Sequence, residues 1–222
     1  MELNKNRIRK LGQRIAEKEL TDRHRERTRA EYRRIFDVET TSESGQENLD
    51  LIFARVIQAR ATPLSDARYR DLAEQKLLQE VIQQDTHAEA FELLYGTDDI
   101  GQKIANEMLR HLVDLFGIND EWRKDLDVAL DTNVIQALVK TGAIELSDEE
   151  QGRDPARIVN TDPEADPNKL VSYQAVQESF NEAAAEYEFD PIVFDELWLE
   201  HREFINDPLL RDRSAFTDLL LE

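Results

Sequence analysis

Lys103 and Asp131, 28 positions apart, are the residues whose types and spacing could do chemistry. Lys103 lies in the stretch 99–106, just after Gly101, where a helix is expected to begin. The first amides of a helix have no acceptor within it and attract anions, so this stretch predicts a phosphate site. A lysine amine becomes a nucleophile where burial destabilises its ammonium form, and a carboxylate can stabilise positive charge. We therefore take both residues as catalytic candidates.

Local capping signals predict the elements that position Lys103. Thr86 and Glu89 have the spacing of a capping box, which starts a helix. Gly96 is expected to end that helix with a left-handed C-cap. After a tight turn, a second helix of about four turns should stop at Gly117. The pattern predicts two helices joined by a hairpin, with Lys103 in the first turn of the second helix.

Further helices are expected on both sides of the hairpin. The segment 49–57 is apolar over most of its helical circumference, so it should be a central buried helix. A helix from Ser65 to Gln84 follows it. Asp131 is an N-cap by position for a short helix that ends at Gly142, and capping alone could explain this aspartate. No stretch shows the alternation of a strand, so we predict an all-α chain.

Composition shifts along the chain predict four parts. Residues 1–39 form a basic N-terminal helical arm, and residues 48–146 form a compact core that contains the hairpin. Residues 147–168 are an acidic loop with three prolines. Residues 169–222 are C-terminal helices expected to pack on the core.

The chain has a net charge of −20 that is unevenly distributed. Residues 1–36 hold 12 basic and 6 acidic side chains, whereas the remainder holds 16 basic and 42 acidic ones. The acid excess with only 8 lysines is typical of proteins from salt-loving organisms, in which short screening lengths weaken repulsion from a phosphate backbone. The basic arm could lie along phosphates, but a helix docked on the acidic body is favoured, because charge runs usually face water.

Several functional classes are excluded or disfavoured. The chain has no cysteine, which excludes disulfides and thiol catalysis. Its four histidines have no metal-ligand spacing, so we expect neither a metal nor another cofactor. No apolar stretch approaches the roughly 20 residues of a membrane span, and the N-terminus does not resemble a signal peptide. We expect a cytoplasmic protein that does not bind membranes.

Three segments, in the same order along the chain, resemble the helix-hairpin-helix DNA glycosylases of base excision repair. That family's hairpin reads Leu-Pro-Gly-(Ile/Val)-Gly-x-Lys-x-Ala, and Ile100-Gly101-Gln102-Lys103-Ile104-Ala105 matches it from the isoleucine onward. Downstream, Leu130-Asp131-Thr132-Asn133-Val134 is similar to the family's Val-Asp-Thr-His-Val. Upstream, Ile57-Gln58-Ala59-Arg60-Ala61-Thr62 is similar to the Ser-Ala-Gln-Ala-Thr run that ends an early buried helix. The resemblance covers roughly residues 48–145.

The resemblance implies a DNA repair glycosylase with an AP-lyase step. Lys103 would attack the sugar C1′ of a flipped, damaged nucleotide and form a Schiff base, with Asp131 as its electrostatic partner. DNA would be held by phosphate contacts that do not depend on sequence. The expected nucleic-acid-binding residues are Arg60, Ile100, Gly101 and Gln102.

This chain departs from the family at two positions. Asp99 occupies the place of the first hairpin glycine, which puts a carboxylate near the expected phosphate, and Arg60 replaces a frequent glutamine. Two alternatives stay open. The chain could be a noncatalytic helix-hairpin-helix module that binds DNA or a protein, in which Lys103 is an ordinary solvated lysine. It could also be an all-α interaction protein with no nucleic-acid role.

Overall fold

The computed structural model describes residues 1–36, 46–58, 64–150, 157–160, 170–201 and 205. The chain divides into two compact units, one made of Met1–His24 with Asp127–Glu222 and the other of Arg25–Leu126. No described helix is both long and apolar enough to cross a membrane.

Helices account for most of the described chain, which confirms the all-α prediction. They are α1 (Lys5–Glu17), α2 (Leu20–Phe36), α3 (Gln46–Gln58), α4 (Asp66–Glu74), α5 (Leu77–Val81), α6 (His87–Tyr95), α7 (Gln102–Arg110), α8 (Thr132–Lys140), α9 (Tyr173–Glu186) and α10 (Phe194–Glu200). A π-helical turn, His111–Leu115, follows α7, and 3₁₀ helices form at Asp120–Asp125 and Pro191–Val193.

The described residues also form four short strands that were not predicted. β1 (Glu2–Leu3) pairs antiparallel with β2 (Ile144–Glu145), and β3 (Val159–Asn160) pairs parallel with β4 (Val171–Ser172). Each strand has only two residues, so its sequence cannot show the alternation that marks a longer strand.

The unit of residues 1–24 and 127–222 is built around the contact of α1 with α9. Ile8, Leu11 and Ile15 form the apolar stripe of α1, and none of them is exposed to solvent. Gly12 allows a close approach, because a Cβ at this position would lie 3.1 Å from the Cβ of Ala183. The core of the unit continues through α8 and α10.

The charged face of α1 also contacts α9. Lys5 forms an ion pair with Glu182 at 3.2 Å, and Arg9 pairs with Glu186. These contacts support the docked-helix interpretation of this segment. The boundaries of the compact units do not coincide with those of the predicted parts, since residues 1–24 share a unit with residues 127–222. The reason is that the apolar stripe of α1 is buried against a helix more than 150 positions away, a pairing that no local pattern encodes.

The unit of residues 25–126 is built around α3, which packs on α5 and α7. Ile52, Val56 and Ile57 of α3 are buried, which confirms the prediction of a central helix over 49–57. The facing side of α7 contributes Met108 and Leu109, neither of which is exposed. This packing fixes the position of α7, whose first turn carries Lys103.

Four backbone conformations in this unit bear on the predicted helix ends and turns. The helix expected over Ser65–Gln84 is interrupted by Lys76, whose φ of 52° is left-handed, and forms α4 and α5 instead. Gly96 has a φ of −73°, so the predicted left-handed C-cap is wrong. The left-handed residue of that turn is Asp99, with a φ of 70°. Gly117 has a φ of 65° and ends its helical segment as predicted.

Candidate functional site

The turn between α6 and α7 is held by local contacts. Thr86 caps α6 by accepting a hydrogen bond from the amide of Glu89 at 3.2 Å, as its sequence predicts. The Ile100 amide donates to the Thr97 carbonyl at 3.0 Å, and the Ile100 side chain is only 3% exposed. A buried side chain at this position anchors the turn to the apolar interior of its unit. The backbone beside it is thereby kept at the surface.

The N-terminus of α7 is open. Gly101 is its N-cap and is exposed, and no side chain caps the helix. The first backbone bond within the helix runs from the Ala105 amide to the Gly101 carbonyl at 3.0 Å. The amides of residues 101–104 have no acceptor among the described residues. A Cβ at Gly101 would meet nothing within 4 Å, so an anion has access to these amides.

Lys103 lies in the first turn of α7, and its side chain is exposed. It forms no ion pair with any described residue. A lysine amine becomes nucleophilic where burial destabilises its ammonium form, and an exposed position does not supply that burial. An exposed basic side chain at this position suits attraction of a phosphate.

Asp131 caps α8, as predicted. Its Oδ1 accepts hydrogen bonds from the amides of Asn133 at 2.8 Å and Val134 at 2.9 Å. Its Oδ2 accepts from the Asn133 side chain at 3.3 Å. Both carboxylate oxygens thus accept hydrogen bonds from residues in the first turn of α8. Asp131 belongs to the unit of residues 1–24 and 127–222, whereas Lys103 belongs to that of residues 25–126.

The predicted nucleic-acid-binding residues have different surroundings. Ile100 is buried, Gly101 is exposed, and Gln102 is half-buried. The Gln102 Nε2 atom is buried without a hydrogen-bond partner in the described part of the chain. Arg60 lies outside the described residues, as does most of the predicted loop 147–168. Residues 100–102 are consecutive in the sequence and lie at the start of α7.

Arg68 is a site residue that sequence reasoning missed. Its Nε donates to Asp99 Oδ2 at 2.7 Å, and its Nη2 donates to the Asp98 carbonyl at 2.9 Å. Arg68 lies in the first turn of α4, about 30 positions before the turn it contacts. An arginine in an acidic chain has many potential partners, so no sequence signal could have selected Asp99.

A cavity of about 270 Å³ lies in the same unit, between α3, α4 and α5. Its apolar wall includes Phe53, Leu72 and Leu77, and its rim carries Arg70 and Lys76. Neither Lys103 nor Asp131 lines this cavity. It therefore does not supply the base pocket that a glycosylase would need beside Lys103.

Three of the described histidines, His24, His87 and His111, have buried or partly buried side chains. The Nδ1 of His24 lies 3.0 Å from Glu196 Oε1 in the interior of its unit. The Nδ1 of His111 contacts the Glu107 carbonyl at 2.7 Å. Burial lowers the pKa of His87 below its ordinary value, and the charge of Asp125 only partly opposes this. Within the described ranges, no group of three or more acidic or histidine side chains could hold a metal ion.

Comparisons with known proteins give no family assignment. No protein-family model, no curated protein and no solved structure matches this chain.

Proposed function

We propose that this protein binds DNA as a noncatalytic helix-hairpin-helix module, with a backbone phosphate at the N-terminus of α7. The observation that carries the proposal is the uncapped, exposed start of α7, whose first amides have no acceptor in the described part of the chain. Such amides and the positive end of the helix dipole together favour an anion. The exposed Lys103 adds a positive charge beside them.

This mode of binding reads no base sequence. Amides that contact phosphate fix the position of the protein on a duplex but carry no information about base edges. The net charge of −20 opposes association with DNA at low salt. At an ionic strength of about 1 M the screening length falls to roughly 3 Å, which removes the long-range repulsion but leaves direct contacts.

A proline substitution tests the role of the amides directly. Gln102→Pro removes one donor at the first helical position, where proline is well tolerated. Gly101 has an extended backbone, with φ −80° and ψ 168°, which a following proline requires. Gln102→Ala is the matched control, because it removes the same side chain and keeps the amide.

The measurement is fluorescence anisotropy with a labelled DNA duplex over a range of salt concentrations. We expect Gln102→Pro to bind at least about tenfold more weakly than Gln102→Ala, because a hydrogen bond to a charged phosphate is lost. Lys103→Ala should weaken binding and reduce the salt slope by about one. Equal affinities of the proline and alanine variants, or no binding by the wild type, would overturn the proposal.

A second candidate function is a DNA glycosylase with an AP-lyase step. The resemblance of the Gly101–Ala105 stretch to the family's hairpin carries this candidate, and no described acidic residue pairs with the Lys103 amine, but the exposed position of Lys103 counts against it. In this mechanism Nζ attacks C1′, the base leaves, and the imine that forms permits β-elimination of the 3′ phosphate. Asp131 was expected to assist, but its oxygens cap α8.

Borohydride trapping separates the two functions. The wild type and Lys103→Ala are incubated with lesion-bearing and abasic duplexes at high salt, and covalent complexes are resolved by electrophoresis. A complex formed by the wild type and lost in Lys103→Ala establishes the lyase. Duplex binding without trapping or base release refutes it and leaves the binding module.

A further inference from the structure

The unit of residues 25–126 contains a cavity between α3, α4 and α5, with a volume of about 270 Å³. Its apolar wall belongs to the core of the unit, because Phe53 and Leu77 are each 6% exposed and Leu72 is fully buried. A dry cavity of about 150 Å³ in a protein interior is large enough to bind benzene. The volume here is therefore sufficient for a ligand with two fused rings.

Two aromatic side chains that line the cavity form a ring pair. The ring centroids of Phe53 and Tyr69 lie 6.0 Å apart, and the ring planes are inclined by 45°. Aromatic rings favour tilted or offset contacts of this kind over a face-to-face sandwich, and a third ring can join such a pair in the same way. An aromatic ligand would thus gain ring contacts in addition to the burial of its apolar surface.

Two basic side chains at the rim of the cavity have no carboxylate partner in the described part of the chain. Arg70 donates to the Asp66 carbonyl of its own helix at 3.2 Å, and neither Arg70 nor Lys76 forms an ion pair with a described residue. Both side chains are exposed and long enough to turn towards a ligand at the rim. In a chain with 48 acidic and 28 basic residues, two such cations beside one cavity favour an anionic group there.

Lys76 occupies the rim despite its backbone conformation. Its φ of 52° and ψ of 35° are left-handed, a region that glycine adopts without strain and that most residues with a side chain avoid. The same conformation ends one helix and begins the next, so it shapes the side of the cavity formed by α4 and α5. A lysine here supplies a charge at the rim that a glycine would not.

The cavity is also lined by two acidic residues, Asp50 and Glu74. Asp50 already interacts with another group of the protein. Glu74 is exposed and forms no ion pair with a described residue. The rim charges without a partner in the described ranges are thus two positive and one negative, which favours an anionic ligand over a cationic one.

We propose that this cavity binds a small aromatic carboxylate, with its rings against Phe53 and Tyr69 and its carboxylate at the rim beside Arg70 and Lys76. Burial and ring contacts hold the apolar body, and charge-assisted hydrogen bonds from the two cations hold the carboxylate. The inference goes beyond the proposed function and does not depend on it, because no residue of the α7 N-terminus lines the cavity.

The test uses 2-naphthoate, which joins two fused rings to one carboxylate and is fluorescent. Its binding to the full chain is followed by the anisotropy of its own fluorescence, and we expect a Kd of about 1 mM or lower. The uncharged 2-naphthamide and the cationic 2-naphthylmethylamine should each bind at least about fivefold more weakly. Octanoate, an aliphatic acid, should compete with the probe at least about threefold more weakly than 2-naphthoate itself binds.

Four variants locate the site, and circular dichroism checks that each one folds. Arg70→Ala and Lys76→Gly each remove one cation and should weaken binding of 2-naphthoate at least about threefold, with glycine well suited to the left-handed backbone. Glu74→Gln removes the opposing charge and should strengthen binding about twofold. Ala73→Phe places a ring at an exposed lining position and should weaken binding about tenfold by occupying the cavity. Lys124→Ala is the matched control, because this exposed lysine of the same unit does not line the cavity.

Four results would overturn the inference. If the wild type does not bind 2-naphthoate with a Kd below about 5 mM, the cavity is not a site for this class of ligand. Equal binding of the acid, the amide and the amine shows that the rim charges do not recognise the ligand. Octanoate that competes as strongly as 2-naphthoate binds shows that the cavity does not select an aromatic body. Binding unchanged by Arg70→Ala, Lys76→Gly and Ala73→Phe, or weakened equally by Lys124→Ala, places the probe elsewhere.

None of these measurements contains DNA. A protein that binds 2-naphthoate but no duplex would refute the proposed function and support the aromatic carboxylate site. A protein that binds duplex but not 2-naphthoate would do the reverse.

Discussion

Asp127 gives the sharpest prediction about the stability of this protein. Its carboxyl is partly buried and accepts a hydrogen bond from the Tyr173 hydroxyl at 2.9 Å. Gln177 extends the network by donating to that hydroxyl at 2.8 Å and to the Val128 carbonyl at 2.7 Å. Burial raises the pKa of Asp127 from 3.8 to about 6, and the bond from Tyr173 only partly opposes the shift.

A raised pKa makes the folded state less stable as pH increases. The folded chain holds the Asp127 proton up to about pH 6, whereas the unfolded chain releases it near pH 4. The contribution that the Asp127 proton makes to the free energy of unfolding is therefore fully present below about pH 4 and is lost as pH rises through about 6. The shift is about two pKa units, which corresponds to about 3 kcal/mol in the free energy of unfolding.

Asp127→Asn removes the titrating group and keeps an acceptor for Tyr173. Relative to the wild type, the free energy of unfolding of this variant should increase by about 3 kcal/mol between about pH 4 and pH 7. Urea unfolding followed by circular dichroism measures it at several pH values. Other titrating groups cancel in the difference. Tyr173→Phe should move the transition to higher pH, because the bond it removes stabilises the ionised carboxylate.

Glu178→Gln is the control for this experiment, because Glu178 is an exposed carboxylate on α9, next to Gln177. Replacing this exposed side chain should change the free energy of unfolding by no more than about 0.5 kcal/mol. If the Asp127→Asn difference does not change with pH, Asp127 titrates in the folded chain as it does when unfolded, and the reasoning from burial is refuted.

Three further predictions concern the packing and caps of the two units, each measured by urea unfolding. Asp131→Ala should lower the free energy of unfolding by about 1–2 kcal/mol through loss of the double cap, and a value near zero would contradict that role. Asp114→Ala should cost about 1–2 kcal/mol, because the partly buried Arg123 loses one of its two carboxylate partners at 2.7 Å and keeps the other, Asp120. If Arg123→Ala unfolds at the same midpoint as the wild type, the Asp114–Arg123 pair is unimportant for stability. Leu11→Ala should lower the free energy of unfolding by about 2–5 kcal/mol, because this side chain is fully buried. Leu199→Ala is the control and should change it little, because that side chain is 44% exposed. Similar losses of stability in the two variants would refute the assigned burial.

The sequence predicted the ends of several elements because caps are local. Thr86 and Asp131 bond amides within three positions of themselves, so type and spacing are enough to recognise them. Gly142 has a φ of 72°, which glycine adopts without the cost that a side chain brings. The segment 49–57 likewise indicated a buried helix, because a helix that is apolar over most of its circumference must be covered on most sides.

The predicted site was only partly accessible to sequence reasoning. The start of α7 beside Lys103 follows from the glycine and the helical period after it. The exposure of Lys103 does not, because it depends on how α7 is rotated against α3. The left-handed turn was assigned to Gly96, yet Asp99 adopts it, since aspartate can occupy that region when other contacts hold the turn.

The sequence by itself determined the helical class, the caps at Thr86 and Asp131 and the open N-terminus of α7, all of which depend on residues within a few positions of one another. Tertiary structure alone decided that α1 packs on α9, that Arg68 neutralises Asp99, and that burial raises the pKa of Asp127. Each of these joins segments that are distant along the chain. Their contact depends on how helices pack, and a one-dimensional pattern carries no information about which of many compatible surfaces will meet.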